Sequence, residues 1–231
     1  MPFDSTCLLA CPLDKGALAI DDAGATCTEC GVLFPLSQIG DISQIDFRAQ
    51  EINKTHSIKF ELPVRPISPA DTLSFGRATD AKFKSISRQK LRRLYGSKLQ
   101  KEILFYCTSL VESIGPEIAI LDLGCGSGGN TEYLKSLGAK NIVKVDFLSE
   151  SSDYQVDVHR MPFLDQVFDL VITTSTIEHF YNPFIAFQEI SRVLKSPGTL
   201  IASGSFWESW HGNSCFHFTP GGLTILCESA N

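Results

Sequence analysis

Residues 121–129 have the sequence LDLGCGSGG, in which an apolar segment runs directly into a turn with four glycines. Glycine lets the backbone turn tightly and approach a ligand closely, because it has no Cβ. Gly124, Gly126 and Gly129 fit the G-x-G-x-x-G pattern of dinucleotide-binding turns, and Asp146 follows Gly126 by 20 residues, where a ribose-binding acid is expected. The stretch predicts a strand, a ligand-binding turn and a helix, and it leaves open which nucleoside ligand is bound.

The sequence around this turn alternates between strand and helix patterns. Strands are predicted at residues 118–123, 142–146, 154–157, 168–173 and 199–203, and helices at residues 131–137, 183–194 and 220–229. This alternation is typical of an α/β fold with a doubly wound, mostly parallel sheet covered by helices. Ligands of such sheets bind beyond the carboxyl ends of the strands, where the glycine turn and Asp146 fall.

Asp122 stands two residues before the first glycine, where its charge would repel a pyrophosphate and attract an ammonium group. Four further blocks follow in order: DVHRMPF at residues 157–163, FDLVI at residues 168–172, EH at residues 178–179 and RVLKSPG at residues 192–198. With the glycine turn, these blocks resemble the class I S-adenosylmethionine-dependent methyltransferases, in particular the methyltransferase type 11-like group. The resemblance implies a Rossmann-like fold and S-adenosylmethionine, which carries an ammonium group, as cofactor.

The resemblance also implies which residues hold the cofactor. Asp122 and residues 124–128 would face its methionine portion, Asp146 its ribose, Phe147 its adenine, and Asp157 and Val158 the adenine edge. The cofactor-binding residues expected on this basis are Asp122, Gly124, Cys125, Gly126, Gly128, Asp146, Phe147, Asp157, Val158 and Thr174. Other interpretations are that Asp146 caps the following turn, that Asp157 is a turn former, and that Cys125 is a small packing residue.

The resemblance implies methyl transfer to an oxygen or nitrogen of a small-molecule, glycan or lipid-linked acceptor. His179 follows the strand predicted at residues 168–173, where it could act as the base for a hydroxyl acceptor. Its alternative role is structural, as a hydrogen-bonding residue near a helix start that shapes the acceptor pocket. The aromatic segment at residues 206–218 is interpreted either as a wall of that pocket or as a cover for the sheet.

Cysteines crowd the start of the chain, and Cys11, Cys27 and Cys30 stand in or beside turns. The segment resembles a zinc ribbon, in which two C-x-x-C knuckles form a tetrahedral zinc site. It departs from that pattern at Asp14, which occupies the place of the first knuckle's second cysteine. The expected ligands are Cys11, Cys27, Cys30 and Asp14, with Cys7 as an alternative to Asp14. The alternatives for this module are a structural zinc ion and a metal-free ribbon.

Changes in composition divide the chain into three parts. Residues 1–45 form the ribbon-like module, residues 46–81 with Pro63, Pro66 and Pro69 form a linker, and residues 82–231 form the methyltransferase domain. The domain begins with a helix whose apolar stripe is Leu99, Ile103, Tyr106, Leu110 and Ile114. The strands that usually complete this family's sheet are not found after residue 229, so an open sheet edge could pair with a second copy and form an oligomer.

The composition narrows the function classes. In 231 residues with eight cysteines and a net charge of −6 there is no membrane-spanning apolar run and no signal peptide, so a cytoplasmic protein with free thiols is expected. Between Lys82 and Lys101 stand eight basic residues and no acidic one, either a solvated helix face or a nucleic-acid contact. The alternative functions are therefore an RNA methyltransferase, a non-catalytic cofactor-binding scaffold and, more distantly, a nicotinamide oxidoreductase.

Overall fold

The computed structural model describes residues 3–39, 42–48, 97–206 and 214–230. Most of the predicted linker, most of the basic segment and residues 207–213 of the aromatic segment lie outside these ranges. The described strands are β1 (Leu18–Asp21), β2 (Gly24–Cys27), β3 (Leu33–Ile39), β4 (Ile42–Asp46), β5 (Ala119–Leu123), β6 (Asn141–Asp146), β7 (Tyr154–Gln155), β8 (Phe168–Thr174) and β9 (Leu194–Ser203). They form one sheet in the order β1-β2-β3-β4-β7-β6-β5-β8-β9.

The strands from β5 onward are parallel to one another, as the alternating pattern predicts. The described helices are α1 (Ser97–Ile114), α2 (Gly129–Ser136), α3 (Pro183–Val193) and α4 (Pro220–Ser229). Asn182 begins α3 by accepting a hydrogen bond from the Ile185 amide, and Thr219 caps α4 in the same way. The predicted α/β class and doubly wound parallel sheet are confirmed. Strand β9 differs in beginning at Leu194, which pairs with Phe168, rather than at residue 199.

The first four strands form an antiparallel meander that is joined to the parallel strands. Strand β4 pairs in parallel with β7, with Ile45 opposite Tyr154 and Asp46 opposite Gln155. The Phe47 amide continues this contact by donating to the Gln155 carbonyl at 2.9 Å. The ribbon-like module is therefore an extension of the main sheet, and its last strand ends one residue inside the predicted linker.

Two apolar clusters cover the two faces of the sheet. The larger includes Phe34 and Phe47 from the first 48 residues together with Tyr154, Phe163 and residues of α3. The smaller lies under α1 and includes Cys107, Val111 and Ile118. Helix α1 is confirmed, but its predicted stripe is partly wrong, because Tyr106 and Ile114 are 60% and 50% exposed. The buried face is turned toward Cys107 and Val111.

All eight cysteines lie in the described residues, and none forms a disulfide. In the same ranges we find no helix with both the length and the apolar character needed to cross a membrane.

Candidate functional site

The glycine turn joins the carboxyl end of β5 to the start of α2. Gly124, Gly126 and Gly128 have φ values of 71°, 53° and 85°, in the left-handed region that favours glycine. The amides of Gly124 and Cys125 donate to the Val145 carbonyl at 2.8 and 3.1 Å, which ties the turn to β6. No atom lies within 4 Å of the Cβ positions that side chains at Gly126 and Gly128 would occupy, so space remains beside the turn.

Asp146 ends β6 and faces this turn. One of its carboxylate oxygens, Oδ2, accepts a hydrogen bond from the Gly126 amide at 3.0 Å. The other, Oδ1, accepts from the amides of Leu148 and Ser149 at 2.8 and 3.0 Å. Asp146 thus caps the turn after β6 and also lies against the glycine turn. Because each carboxylate oxygen has two lone pairs, Oδ1 is fully used by the two amides, and Oδ2 keeps one lone pair that can accept a hydrogen bond from a ribose hydroxyl.

Asp122 lies behind the turn, and its side chain is completely buried. It accepts hydrogen bonds from the Thr131 hydroxyl at 2.6 Å and from Asn130 Nδ2 at 3.4 Å. Asn130 Nδ2 also donates to the Thr174 hydroxyl at 3.0 Å, which links the ends of β5 and β8 to α2. Burial raises the pKa of the Asp122 carboxyl above its ordinary value, although the hydrogen bonds from Thr131 and Asn130 oppose that shift.

Phe147 follows Asp146 with its side chain 47% exposed. The Arg48 guanidinium carbon lies 5.5 Å from the centre of the Phe147 ring, and Arg48 Nη1 donates to the Phe147 carbonyl at 3.0 Å. Arg48 Nε and Nη2 bind both carboxylate oxygens of Asp46 at 2.8 and 2.6 Å. Sequence reasoning missed Arg48, which it placed in the linker, because nothing local indicates a contact 99 residues away.

Asp157 follows β7 and is held by the residues beside it. Its Oδ1 accepts from the His159 amide at 3.0 Å and lies 2.6 Å from His159 Nδ1. His159 Nε2 accepts from the Asn182 amide at 3.2 Å, so Nδ1 is the ring nitrogen that donates the hydrogen bond to Asp157. Burial favours a higher pKa for the Asp157 carboxyl, but the His159 hydrogen bonds hold that pKa below its usual value. Val158 is buried at 8% exposure.

His179 ends a short 3-10 turn, Ile177–His179, which is separated from the end of β8 by two residues. Its amide donates to the Thr176 carbonyl at 2.9 Å. The neighbouring Glu178 is buried, accepts from the Ser205 hydroxyl at 3.0 Å, and its carbonyl receives the Cys215 amide at 2.6 Å. This network joins the turn after β8 to the segment that follows β9.

The predicted metal ligands also come together, away from the glycine turn. The ligand atoms of Cys11, Asp14, Cys27 and Cys30 all lie within 4.8 Å of one another. Cys7 is outside this group; its thiol donates to the Asp4 carbonyl at 3.0 Å. By contrast, burial raises the pKa of the Cys125 thiol to about 12, so this thiol stays protonated at neutral pH as expected of a packing residue.

The part of the chain that forms the parallel strands is similar to known methyltransferases. A family model described as a methyltransferase domain matches residues 121–202. Cycloartenol-C-24-methyltransferase 1 of Oryza sativa is 32% identical over 130 residues, which cover 48% of this chain and 37% of the relative. Malonyl-[acyl-carrier protein] O-methyltransferase of Buchnera aphidicola is 30% identical over 39% of this chain and 42% of its own length. The chain thus spans about two fifths of the length of these curated relatives.

A solved S-adenosylmethionine-dependent methyltransferase from Aquifex aeolicus has a TM-score of 0.43 and 18% identity, covering 58% of this chain and 86% of that one. The fold is an α/β domain whose glycine turn lies at the carboxyl ends of parallel strands, with open space beside it. The match of residues 121–202 to a methyltransferase domain supports the class I S-adenosylmethionine-dependent methyltransferase fold that the sequence blocks resemble.

The described residues fit S-adenosylmethionine, the methyl donor of this domain class. The space beside Gly126 and Gly128 admits a ligand next to backbone amides, and Asp146 Oδ2 offers an acceptor for a ribose hydroxyl. Phe147 presents an exposed ring beside that acid. The assignment of individual cofactor contacts remains a prediction.

Proposed function

We propose that this protein transfers a methyl group from S-adenosylmethionine to an oxygen or nitrogen of a small-molecule, glycan or lipid-linked acceptor. The observation that carries the proposal is the hydrogen bond between Asp146 and the Gly126 amide at 3.0 Å. It joins the carboxylate that we propose for ribose binding to the glycine turn, at the carboxyl ends of neighbouring parallel strands. The family match at residues 121–202 supports methyl transfer as the reaction class.

S-adenosylmethionine would supply an electrophilic methyl group: the acceptor lone pair would bond to the methyl carbon as the carbon–sulfur bond breaks and S-adenosylhomocysteine leaves as a neutral thioether. The protein's main task is therefore to align the acceptor atom, the methyl carbon and the sulfur. Asp146 would hold the ribose, and Phe147 would pack against the adenine. Asp122 would act through Asn130, whose amide it orients, and its buried charge would favour the ammonium group of the ligand.

His179 is proposed as the base that takes the acceptor's proton when the acceptor is a hydroxyl. It follows the carboxyl end of β8. Because β8 and β5 are parallel neighbours, this end lies at the same edge of the sheet as the glycine turn. The proton would pass from the acceptor oxygen to the imidazole as the new carbon–oxygen bond forms. The Cys215–Glu178 contact holds the segment after β9 beside this turn, where an acceptor would enter.

Calorimetric titration of the full chain tests cofactor binding. We expect heat with S-adenosylmethionine and none with nicotinamide dinucleotides. Asp146→Ala should weaken binding at least tenfold because it removes the carboxylate that would accept a ribose hydroxyl. Asp22→Ala, an exposed acid outside the site, is the matched control and should bind normally. No heat with S-adenosylmethionine for the unaltered chain would contradict the proposal.

Turnover is tested by measuring S-adenosylhomocysteine formation over a panel of hydroxyl and amine acceptors. His179→Ala should lower kcat for a hydroxyl acceptor about 100-fold and leave cofactor affinity unchanged, because a base contributes to the chemical step. An equal loss of cofactor binding would instead assign His179 a structural role. Cofactor binding without turnover on any acceptor would support a non-catalytic cofactor-binding scaffold. Methylation of RNA with a steep dependence on salt would support an RNA methyltransferase.

A further inference from the structure

The first 48 residues contain a cluster of possible metal ligands that the proposed methyl transfer does not use. It is formed by two turns, one carrying Cys11 and Asp14 before β1 and the other running from Cys27, at the end of β2, to Cys30. Cys11 and Cys27 are buried, Cys30 is half-buried and Asp14 is exposed at the rim. We infer that these four side chains bind one zinc ion as a closed, structural site.

Two of the ligand pairs in the cluster have the separations expected around a zinc ion, and all four ligand atoms lie within 4.8 Å of one another. Zinc lies about 2.3 Å from a thiolate sulfur and about 2.0–2.2 Å from a carboxylate oxygen. In a tetrahedral site these lengths put two sulfurs about 3.8 Å apart and a sulfur about 3.5 Å from an oxygen. Cys11 Sγ is 3.8 Å from Cys30 Sγ, and Cys27 Sγ is 3.4 and 3.6 Å from the two carboxylate oxygens of Asp14.

The two turns have the same backbone geometry, so Asp14 holds the place of a knuckle cysteine. In the first turn the Lys15 amide donates to the Cys11 carbonyl at 2.9 Å, and in the second the Gly31 amide donates to the Cys27 carbonyl at 3.0 Å. Lys15 and Gly31 also share a left-handed conformation, with φ values of 62° and 73°. A lysine adopts this conformation only at a cost of about 1–2 kcal/mol, which surrounding contacts must offset.

Backbone amides also point at the sulfurs in equivalent ways. The Leu13 amide lies 3.4 Å from Cys11 Sγ, and the Glu29 amide lies 3.4 Å from Cys27 Sγ. Amide donors of this kind stabilise the negative charge of a thiolate and orient the sulfur. The Gly16 amide does the same for Asp14, donating to Oδ1 at 2.9 Å. The ligands are thus positioned from both turns before a metal arrives.

The donor set selects zinc among common divalent ions. Sulfur ligands favour zinc over magnesium and calcium, which prefer oxygen. Four protein ligands leave no open position for a water or substrate, so the ion would act structurally. It would hold the turn that contacts the core through Lys15 Nζ, which donates to the Met161 carbonyl at 3.1 Å, and through the Ala10 amide, which donates to the Pro162 carbonyl at 3.0 Å.

The metal content of the purified full chain tests this inference. After dialysis we expect about one zinc per chain by elemental analysis, and less than a tenth of that in the Cys27→Ser/Cys30→Ser variant. Cobalt added to zinc-free protein should give the thiolate charge-transfer absorption of a tetrahedral site, and the double variant should lose it. Cys7→Ser, which changes a cysteine of the same module outside the cluster, should behave like the unaltered protein.

Asp14 provides the test if the double variant does not fold. Asp14→Cys should keep stoichiometric zinc, whereas Asp14→Ala should lower zinc affinity at least tenfold because it removes the fourth ligand. Absence of zinc after reconstitution of the unaltered chain, or equal zinc affinity in Asp14→Ala, would overturn the inference. Metal content is measured without cofactor, so failure of S-adenosylmethionine binding would not affect the result.

Discussion

The Asp122 carboxylate is fully buried, and this burial should change how the stability of the protein depends on pH. Burial raises its pKa in the folded protein above the ordinary value of 3.8. A group with a raised folded-state pKa stabilises the fold below its ordinary pKa, and that stabilisation is lost as pH rises through the raised value. At neutral pH the ionised Asp122 therefore lowers stability, as expected of a residue kept for its charge.

We expect Asp122→Asn to increase the thermal stability of the protein at pH 7 and to weaken S-adenosylmethionine binding about tenfold. The amide keeps an oxygen that accepts from Thr131 but lacks the charge that favours the ammonium group. Thermal unfolding from pH 4 to 8, with exposed Asp22→Asn as control, measures the first effect, and calorimetry measures the second. A stability difference that does not grow as pH rises would contradict this explanation.

Arg48 is a second residue whose effect can be isolated, because it contacts Phe147 from outside the glycine turn. Arg48→Ala should weaken S-adenosylmethionine binding about fivefold, since the Phe147 carbonyl and ring lose their partner. Arg48→Lys should not restore affinity, because an ammonium cannot bind both Asp46 oxygens as the planar guanidinium does. Calorimetry measures both variants, and Lys140→Ala on the exposed surface is the control. Unchanged affinity in Arg48→Ala would exclude this role.

Among the elements, those with strong local patterns could be predicted from the sequence. Strand β5 follows from its apolar run, and α3 begins at Pro183 and ends within one residue of the predicted end. The exposed Tyr106 and Ile114 show where periodicity fails, because it marks an apolar stripe without saying which part meets the core. The pairing of β4 with β7 could not be predicted, since Ile45 and Tyr154 are brought together only by the fold.

The same limit applies to the candidate site. The glycine turn, Asp146 and the cysteine cluster are each a residue type at a recognisable spacing, so the sequence indicates them. The sequence does not indicate Arg48 and Asn130 in this way, because their roles depend on which side chains the fold places opposite them. Spacing also could not show that Asp122 contacts Thr131 and Asn130 and lies behind the turn.

The junction between β4 and β7 has its own test in Phe47. This ring is 1% exposed and lies 5.2 Å from the Phe34 ring and 5.9 Å from the Tyr154 ring, centre to centre. Phe47→Ala should lower the free energy of unfolding by about 3–5 kcal/mol, because a cavity opens between the two parts of the sheet. Phe105→Ala, at a side chain 66% exposed, should change it by no more than about 0.5 kcal/mol.

Denaturant unfolding followed by two probes measures the Phe47 effect. We expect one transition for the whole protein, shifted to lower denaturant in the variant. Two separate transitions, with only the first shifted, would show that the first 48 residues unfold on their own and would contradict a joint core.

At the scale of the molecule, the antiparallel meander and the parallel strands share one sheet and one apolar cluster. Strand β7 has only two residues and lies between β4 and β6. Without β4 it would become an unpaired edge, and Phe163 and Tyr154 would lose neighbours in the larger cluster. We therefore expect the parallel strands to depend on the segment that precedes them in the chain.

A chain that begins at residue 49 tests this dependence. We expect it to be insoluble or to lack a cooperative unfolding transition, because an open β7 edge and an exposed apolar face favour aggregation. Removing only the metal from the full chain with a chelator should reduce solubility and cooperativity less than the truncation does. Strand β4 and Phe47 would stay in place, and only the turn that contacts Met161 and Pro162 would loosen. Far-UV circular dichroism and size-exclusion chromatography distinguish the two. A soluble shortened chain that binds S-adenosylmethionine normally would show that the cofactor site does not need β4 or Arg48.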